Sequence, residues 1–352
     1  MSIRPGAPRG DGPAAGGTGA ELETPLLDVC ARIRAAVLAA TEGGATEALS
    51  AVVGAGAGDR TFGIDVVAER AAEKWFEESA RRGPLSLLTE DAGWRHAGPD
   101  GPLDGFDHGG PRVVLDPIDG TRHLMHDLRP AWVVAGAAPP GPGAPRLGDL
   151  AVGALAELPC RGAARARELA AVRGGGARLR EVRLGTKASP TPWSALRIGA
   201  QNARLDGGYL PFFGFEPRCR AAAQALAARV FTRLEAEHDI DTESVLDDQY
   251  ISSGGQLALL ALGTYHAVVD ARVSLGRAHG LGTRTAKPYD VAGAIVVAEE
   301  AGAVVAGLDG APLDFLLDAE THVEFAGYAN RATADVLGAA VRAELSGPAA
   351  SG

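Results

Sequence analysis

The amino-acid sequence predicts a layered protein of the α/β or α+β class, in which strands and helices alternate. Three observations carry that expectation. Short apolar runs bounded by turn residues, LSLL (85–88), RVVL (112–115), AWVVAGAA (131–138) and DLAVGALAEL (149–158), read as strands of a buried sheet. Leu26, Cys30, Ile33 and Val37 recur at helical spacing. In the second half, apolar strands and Ala-rich helical stretches follow one another to the end of the chain.

Taken in order, residues 1–20 read as a disordered Gly/Pro/Ala tail, and the first helix as about 24–41. A Gly-rich gap at 54–58 precedes a helix from about Asp65 to Arg81, with Asp65 placed to cap it. After strand 85–88, the tract 93–111 is rich in Gly, Asp and Pro and reads as a loop. PPGPGAPR (139–146) is a turn between two strands, and GGGA (174–177) a tight turn. Strand 195–200 leads into a long mixed stretch, 202–250. Then come a helix at 253–262, strand 265–269, a loop over 271–286, a helix at 289–301, strands 303–308 and 323–329, and a last helix to about Leu345. The expected division is an N-terminal α+β part, 21–190, a C-terminal α/β part, 191–346, and a short tail, 347–352.

The chain has 352 residues, enough for one large domain or two that share a cleft. A formal charge of −10 argues against a nucleic-acid backbone or an anionic membrane as the main partner. An anionic substrate stays open, because a bound divalent cation reverses the local field. The three scattered cysteines form no CxxC pair, so buried thiols are expected in place of a disulfide framework or a zinc cluster. No apolar run is long enough to span a bilayer, and the N-terminus lacks the apolar core of a secretory signal, so a cytoplasmic location is expected.

Four acidic clusters stand at strand ends or helix starts. In VVLDPIDGT a buried strand delivers Asp116, Pro117 ends the ladder, and Asp119 follows before Gly120-Thr121 turns the backbone. Two carboxylates this close in apolar surroundings repel each other unless a cation lies between them, and Mg²⁺ takes such oxygen ligands. A simple Asp-Pro/Asp-Gly turn is the competing reading. Glu90-Asp91 follow strand LSLL, Asp290 precedes the apolar helix VAGAIVVA, and Asp65 opens the second helix. Alone, these are a solvated pair and two helix caps.

Together, Asp65, Glu90-Asp91, DPIDGT at 116–121 and Tyr289-Asp290 resemble, in order and spacing, the pattern of the inositol monophosphatase family, within the lithium-sensitive, metal-dependent sugar phosphatases. DLAVGALAELP and AEEAGAVVAGLDGAPLD are also similar to family segments, and the resemblance covers roughly 26–345. It implies a layered α-β-α-β-α sandwich of the inositol monophosphatase/fructose-1,6-bisphosphatase type, and a Mg²⁺-dependent phosphomonoesterase with two or three Mg²⁺ ions. The implied metal ligands are Glu90, Asp116, the carbonyl of Ile118, Asp119 and Asp290, with Asp116 bridging. Thr121, backed by Asp65 or Glu90, would orient the attacking water, and the N–H groups of Gly120 and Thr121 would cradle the phosphate. The expected substrate is a small phosphate ester, and a homodimer fits the family.

The chain also departs from the pattern. Arg122, His123 and Leu124 follow DGT, Tyr289 stands for Trp, Glu-Asp stands for Glu-Glu, and the tracts 202–250 and 271–286 are longer than in compact members. Asp270 is the nearest candidate for an acid that reads substrate hydroxyls, but the second long tract separates it from Asp290. Arg277 and Arg284, in that basic tract, are candidates for a second anionic group, against a solvated loop as the plain alternative. A fructose-1,6-bisphosphatase, a 3′-phosphonucleotide phosphatase and a non-catalytic sensor of a phosphorylated metabolite are the competing functions.

Overall fold

The computed structural model describes residues 16–42, 49–55, 60–185, 189–199, 205–238 and 240–346. The expected tails, 1–20 and 347–352, lie outside these residues except that Gly16 opens helix α1 (Gly16–Glu42), which begins earlier than its apolar spacing suggests and carries Pro25 inside it. Helix α2 (Gly63–Ala80) follows a hairpin of β1 (Val52–Ala55) and β2 (Arg60–Phe62).

The main sheet has nine strands: β3 (Leu85–Thr89), β4 (Gly93–Gly98), β5 (Gly101–Pro102), β6 (Arg112–Asp119), β7 (Ala131–Ala138), β8 (Val152–Leu158), β9 (Arg165–Val172), β10 (Gly176–Arg183) and β11 (Ser194–Leu196), in spatial order β11-β10-β9-β8-β7-β6-β3-β4-β5. Every pairing is antiparallel except β3 with β6. A second sheet pairs β12 (Ala267–Asp270) and β13 (Val304–Ala306) with β14 (Phe325–Tyr328) in the order β12-β14-β13. The remaining helices are α3 (Thr121–Met125), α4 (Pro217–His238), α5 (Ser253–Ala261), α6 (Arg272–His279), α7 (Pro288–Glu300) and α8 (Arg331–Ser346).

Three cores separate five layers. On one face of the large sheet, Leu26, Ile33, Ala68 and Trp75 of α1 and α2 pack on Leu87, Leu115, Val133 and Ala154. On the other face, Val114, Trp132, Val134 and Leu155 meet α5 and α7, which in turn meet Val268, Val305 and Phe325 of the small sheet. Beyond it, Val269, Ala326 and Tyr328 pack on Leu226 and Val230 of α4 and Leu337 and Val341 of α8. The stack is α-β-α-β-α. Adjacent sheet residues serve opposite cores because side chains alternate along a strand, which is why β7 reads as an unbroken apolar run: it is covered on both faces.

Two expectations are corrected, and a third stretch is resolved. The tract 93–111 is not wholly loop: Gly93–Gly98 pairs with β3 from Leu85↔Ala97 to Thr89↔Gly93. The tract 271–286 is not a plain loop, since Arg272–His279 form α6, ended by Gly280 in the left-handed region. The stretch 202–250 contains the 22-residue helix α4. Strands β9 and β10, joined through the expected GGGA turn, complete the sheet, and β11 extends it beyond residue 190.

The middle helix layer lies unusually close to the large sheet. A Cβ on Gly293 of α7 would stand 2.0 Å from the carbonyl oxygen of Ala135, and one on Gly153 would stand 2.2 Å from the carbonyl oxygen of Gly293. Helix and sheet thus touch backbone to backbone, and this contact fixes where the start of α7, with Asp290, meets β6.

Candidate active site

The site assembles at the C-terminal ends of the two parallel strands. The β3–β6 register, Ser86↔Arg112 to Leu88↔Val114, carries Glu90 toward the level of Asp116. In a regular strand Asp116 and Asp119, three residues apart, would point to opposite faces. Here Asp116 lies opposite Val134 and Asp119 opposite Trp132, so β6 spends three steps where β7 spends two. This β-bulge restores the parity, and both carboxylates line one cavity. Gly120 then adopts φ +103°, a conformation a side chain rarely takes, and Thr121 starts α3.

Asp116, Asp119 and Asp290 are each held by one oxygen, and Asp65 by both. Ile118 N–H donates to Asp116 Oδ1 at 2.9 Å. Ser252 Oγ and the N–H groups of Gly254 and Gly255, at the start of α5, donate to Asp119 Oδ2 at 2.6, 2.6 and 3.2 Å. Lys287 N–H donates to Asp290 Oδ2 at 2.7 Å, and Phe62 N–H to Asp65 Oδ2 at 2.8 Å. Asp65 and Asp290 therefore do act at helix starts, from the third helical position back onto the residue before the helix, and not as N-caps themselves. Thr121 Oγ1 lies 2.9 Å from Asp65 Oδ1 and 3.0 Å from the carbonyl oxygen of Ile118, and its one proton serves one of them at a time.

The second oxygens face a crowded interior. Burial, then the charges of Asp290, Asp119 and Glu90, raise the Asp116 carboxyl well above its ordinary range. Burial and the Asp119 charge push Asp290 up to about 7. Burial lifts Asp119 to about 6 against the pull of its hydrogen-bond donors on α5. Of the neighbouring charges that Asp116 feels, that of Asp290 is the strongest. Among the described residues no three acidic, His or Cys side chains already surround a common point. The donor set, all hard oxygen and crowded with like charge, fits divalent cations such as Mg²⁺, which would compete with protons for these oxygens.

That competition has a testable sign. Carboxyls raised above their unfolded range bind protons in the folded state that the unfolded chain has released, so metal-free stability falls as pH rises from about 4 to about 7. Mg²⁺ relieves this only where the acids are ionised. Saturating Mg²⁺ should raise Tm by about 5 °C above pH 7.5 and by much less below pH 5.5, as scanning calorimetry would register. Equal shifts at both pH values would contradict it.

The cavity, about 430 Å³, is lined at one end by Asp65, Glu90, Asp116, Ile118, Asp119, Gly120, Thr121 and Asp290. Every metal, water and phosphate candidate from the sequence is thus brought together. The substrate candidates separate. Arg284 lines the cavity and pairs with Glu216 at 3.1 Å. Arg277 is exposed on α6 and is not among the lining residues. Asp270 is fully buried and gripped by Arg272, whose Nε and Nη2 donate to it at 2.8 and 2.6 Å, so it is no hydroxyl reader. The sequence reading missed Phe213, Phe215 and Glu216, which line the far wall, and Ser252, which holds Asp119. The SSGG run at 252–255, a capping serine before a helix, was the available signal for the last.

Comparison with known proteins finds relatives with the same fold. The "Fructose-1,6-bisphosphatase/inositol-1-monophosphatase" of Methanothermobacter thermautotrophicus is 26% identical over 289 residues, covering 81% of this chain and 85% of that protein. Among solved structures, Leishmania major fructose-1,6-bisphosphatase superposes with a TM-score of 0.67 at 13% identity, covering 91% of this chain and 94% of the other. Mycobacterium tuberculosis SuhB superposes with a TM-score of 0.57 at 21% identity, covering 93% and 97%. These two share the fold. Residues 64–344 match the inositol monophosphatase family as a whole, and with the five-layer sandwich and the acidic cleft in place, the chain belongs to that family.

Proposed function

We propose that the protein is a Mg²⁺-dependent phosphomonoesterase acting on a small phosphorylated polyol or sugar. The observation that carries this reading is the Thr121–Asp65 pair standing in the same cavity as Glu90, Asp116, Asp119 and Asp290. A protein that only bound a phosphometabolite would need the acids and their cations but not a hydroxyl backed by a carboxylate. The double name of the archaeal relative points to the same substrate class.

Glu90, Asp116, the carbonyl of Ile118, Asp119 and Asp290 would hold the cations, which supply positive charge to the phosphoryl oxygens and the departing oxygen. Asp65 takes the hydroxyl proton of Thr121 in a hydrogen bond, which turns the lone pairs of Oγ1 toward a water and orients it for attack on phosphorus. The other oxygen of Asp65 accepts from Phe62 N–H, which holds the carboxylate toward Thr121. The N–H groups of Gly120 and Thr121, at a helix start without intrahelical acceptors, face a phosphoryl oxygen. The water oxygen bonds to phosphorus as the ester P–O bond breaks, and the proton that the water gives up ends on the departing alcohol oxygen.

The test is phosphate release from inositol 1-phosphate and a panel of sugar phosphates, with Mg²⁺, with EDTA, and after Mg²⁺ is added back. Release that needs Mg²⁺ and returns with it is expected. An undiminished rate in EDTA, or none on any ester with Mg²⁺, would overturn the reading.

A further inference from the structure

The far wall of the cavity is built by the two long tracts. Phe213, Phe215 and Glu216 lead into α4, and Gly282 to Lys287 follow α6. Buried Arg272 ties the two together: its Nη1 donates to the carbonyl oxygen of Arg284 at 2.7 Å, and its guanidinium lies 4.6 Å from the Phe213 ring centre and 6.0 Å from that of Phe215. Its charge is committed to Asp270, so it acts as scaffold. Arg284 and Glu216, side chains 38% and 25% exposed, are joined across the two tracts at 3.1 Å. Of the other cations in the cavity, Lys287 Nζ donates to the carbonyl oxygen of Glu320, and Arg122 adjoins Thr121 and lies over Phe215.

With the reacting phosphate held by the acids, the alcohol part of the substrate occupies the rest of the cavity, which Glu216 and Arg284 also line. We propose that Glu216 is a specificity-determining residue, which masks Arg284 so that the wall accepts hydroxyl groups and rejects a second phosphate. A hydroxyl donates to the carboxylate and accepts from the guanidinium, and so uses both members of the pair. A second phosphate finds one guanidinium already neutralised and a carboxylate of like charge beside it. The inference rests on the phosphatase reading for the position of the alcohol.

Glu216→Gln keeps the shape and removes the charge, and a partly exposed pair contributes little to folding, so the variant should fold. The measurement is the ratio of kcat/KM for fructose 1,6-bisphosphate to that for inositol 1-phosphate. We expect this ratio to rise about tenfold or more in Glu216→Gln, the size of one released charge-assisted contact, and to fall back when Arg284→Gln is added. An unchanged ratio would overturn the inference. Calorimetry with Ca²⁺ in place of Mg²⁺ keeps the question open to decision without turnover: fructose 1,6-bisphosphate should bind Glu216→Gln at least fivefold more tightly than wild type, while inorganic phosphate gains less. Equal gains for both, or no gain, would overturn it. Absent turnover with the binding difference intact would refute the phosphatase reading and leave the wall's selectivity standing.

Discussion

Asp116→Asn should lower kcat/KM about a thousandfold at saturating Mg²⁺ while leaving the metal-free protein at least as stable as wild type above pH 7. The first effect corresponds to roughly 4 kcal/mol of transition-state stabilisation, in the range a bound cation supplies. The second follows from position. Asp116 is buried and faced by Asp290, Asp119 and Glu90. Above its raised folded pKa its charge costs stability, and asparagine removes the charge while still accepting the N–H of Ile118. Asp290→Asn should cost about an order of magnitude less activity, because the neighbouring charge felt most strongly there is that of one acid, Asp119. Steady-state kinetics and a thermal melt in EDTA check both halves. A large drop in Tm for Asp116→Asn would make the residue structural, and equal kinetic losses would remove its central place.

Gly293→Val should destabilise the protein by about 3 kcal/mol or more and abolish Mg²⁺ protection together with activity. The new Cβ would meet the carbonyl oxygen of Ala135 at 2.0 Å, its carbonyl carbon at 2.5 Å and the nitrogen of Gly136 at 3.1 Å. All are backbone atoms in the middle of a sheet, which cannot rotate aside, so α7 must lift and take Asp290 with it. Gly293→Ala should show the same losses in smaller measure. Gly148→Ala, where nothing lies within 4 Å of the added carbon, should melt within about a degree of wild type. Thermal melts with and without Mg²⁺ read all three. A Gly293→Val protein with wild-type Tm would show that the helix–sheet contact is looser than its geometry.

How much of this was legible in the sequence depends on what each segment offers a reader. The strands at 131–138 and 152–158 were plain because both faces are covered and the apolar run is unbroken. Residues 93–98 were hidden because the strand is half-buried near the sheet edge and carries Gly, Arg and His. Helix α4 was hidden although Cys219, Ala223, Leu226, Val230 and Leu234 keep helical spacing, because alanine, abundant throughout this chain, gives a weak apolar signal. At the site, the candidate acids were readable because each stands at the end of a strand or the start of a helix, where local sequence shows it. The far wall was not. Asp270 has the right chemistry and order in the chain, and only the fold reveals that Arg272, two residues on, takes it out of use. Glu216 and Arg284 lie far apart in sequence, with no local pattern to join them.

The helix layer between the two sheets also sets an order of events during synthesis. Everything needed for the large sheet is made before α7, yet Val114, Trp132, Val134 and Leu155 have no cover on that side until α5 and α7 arrive. The same arrival supplies the donors that hold Asp119 and the last acid, Asp290. A nascent chain that has finished β10 therefore carries both a bare apolar face and an incomplete set of acids, and the two deficits end together. A cation that needs all of these acids could be captured only once the middle layer has closed, so its binding would report on completed assembly.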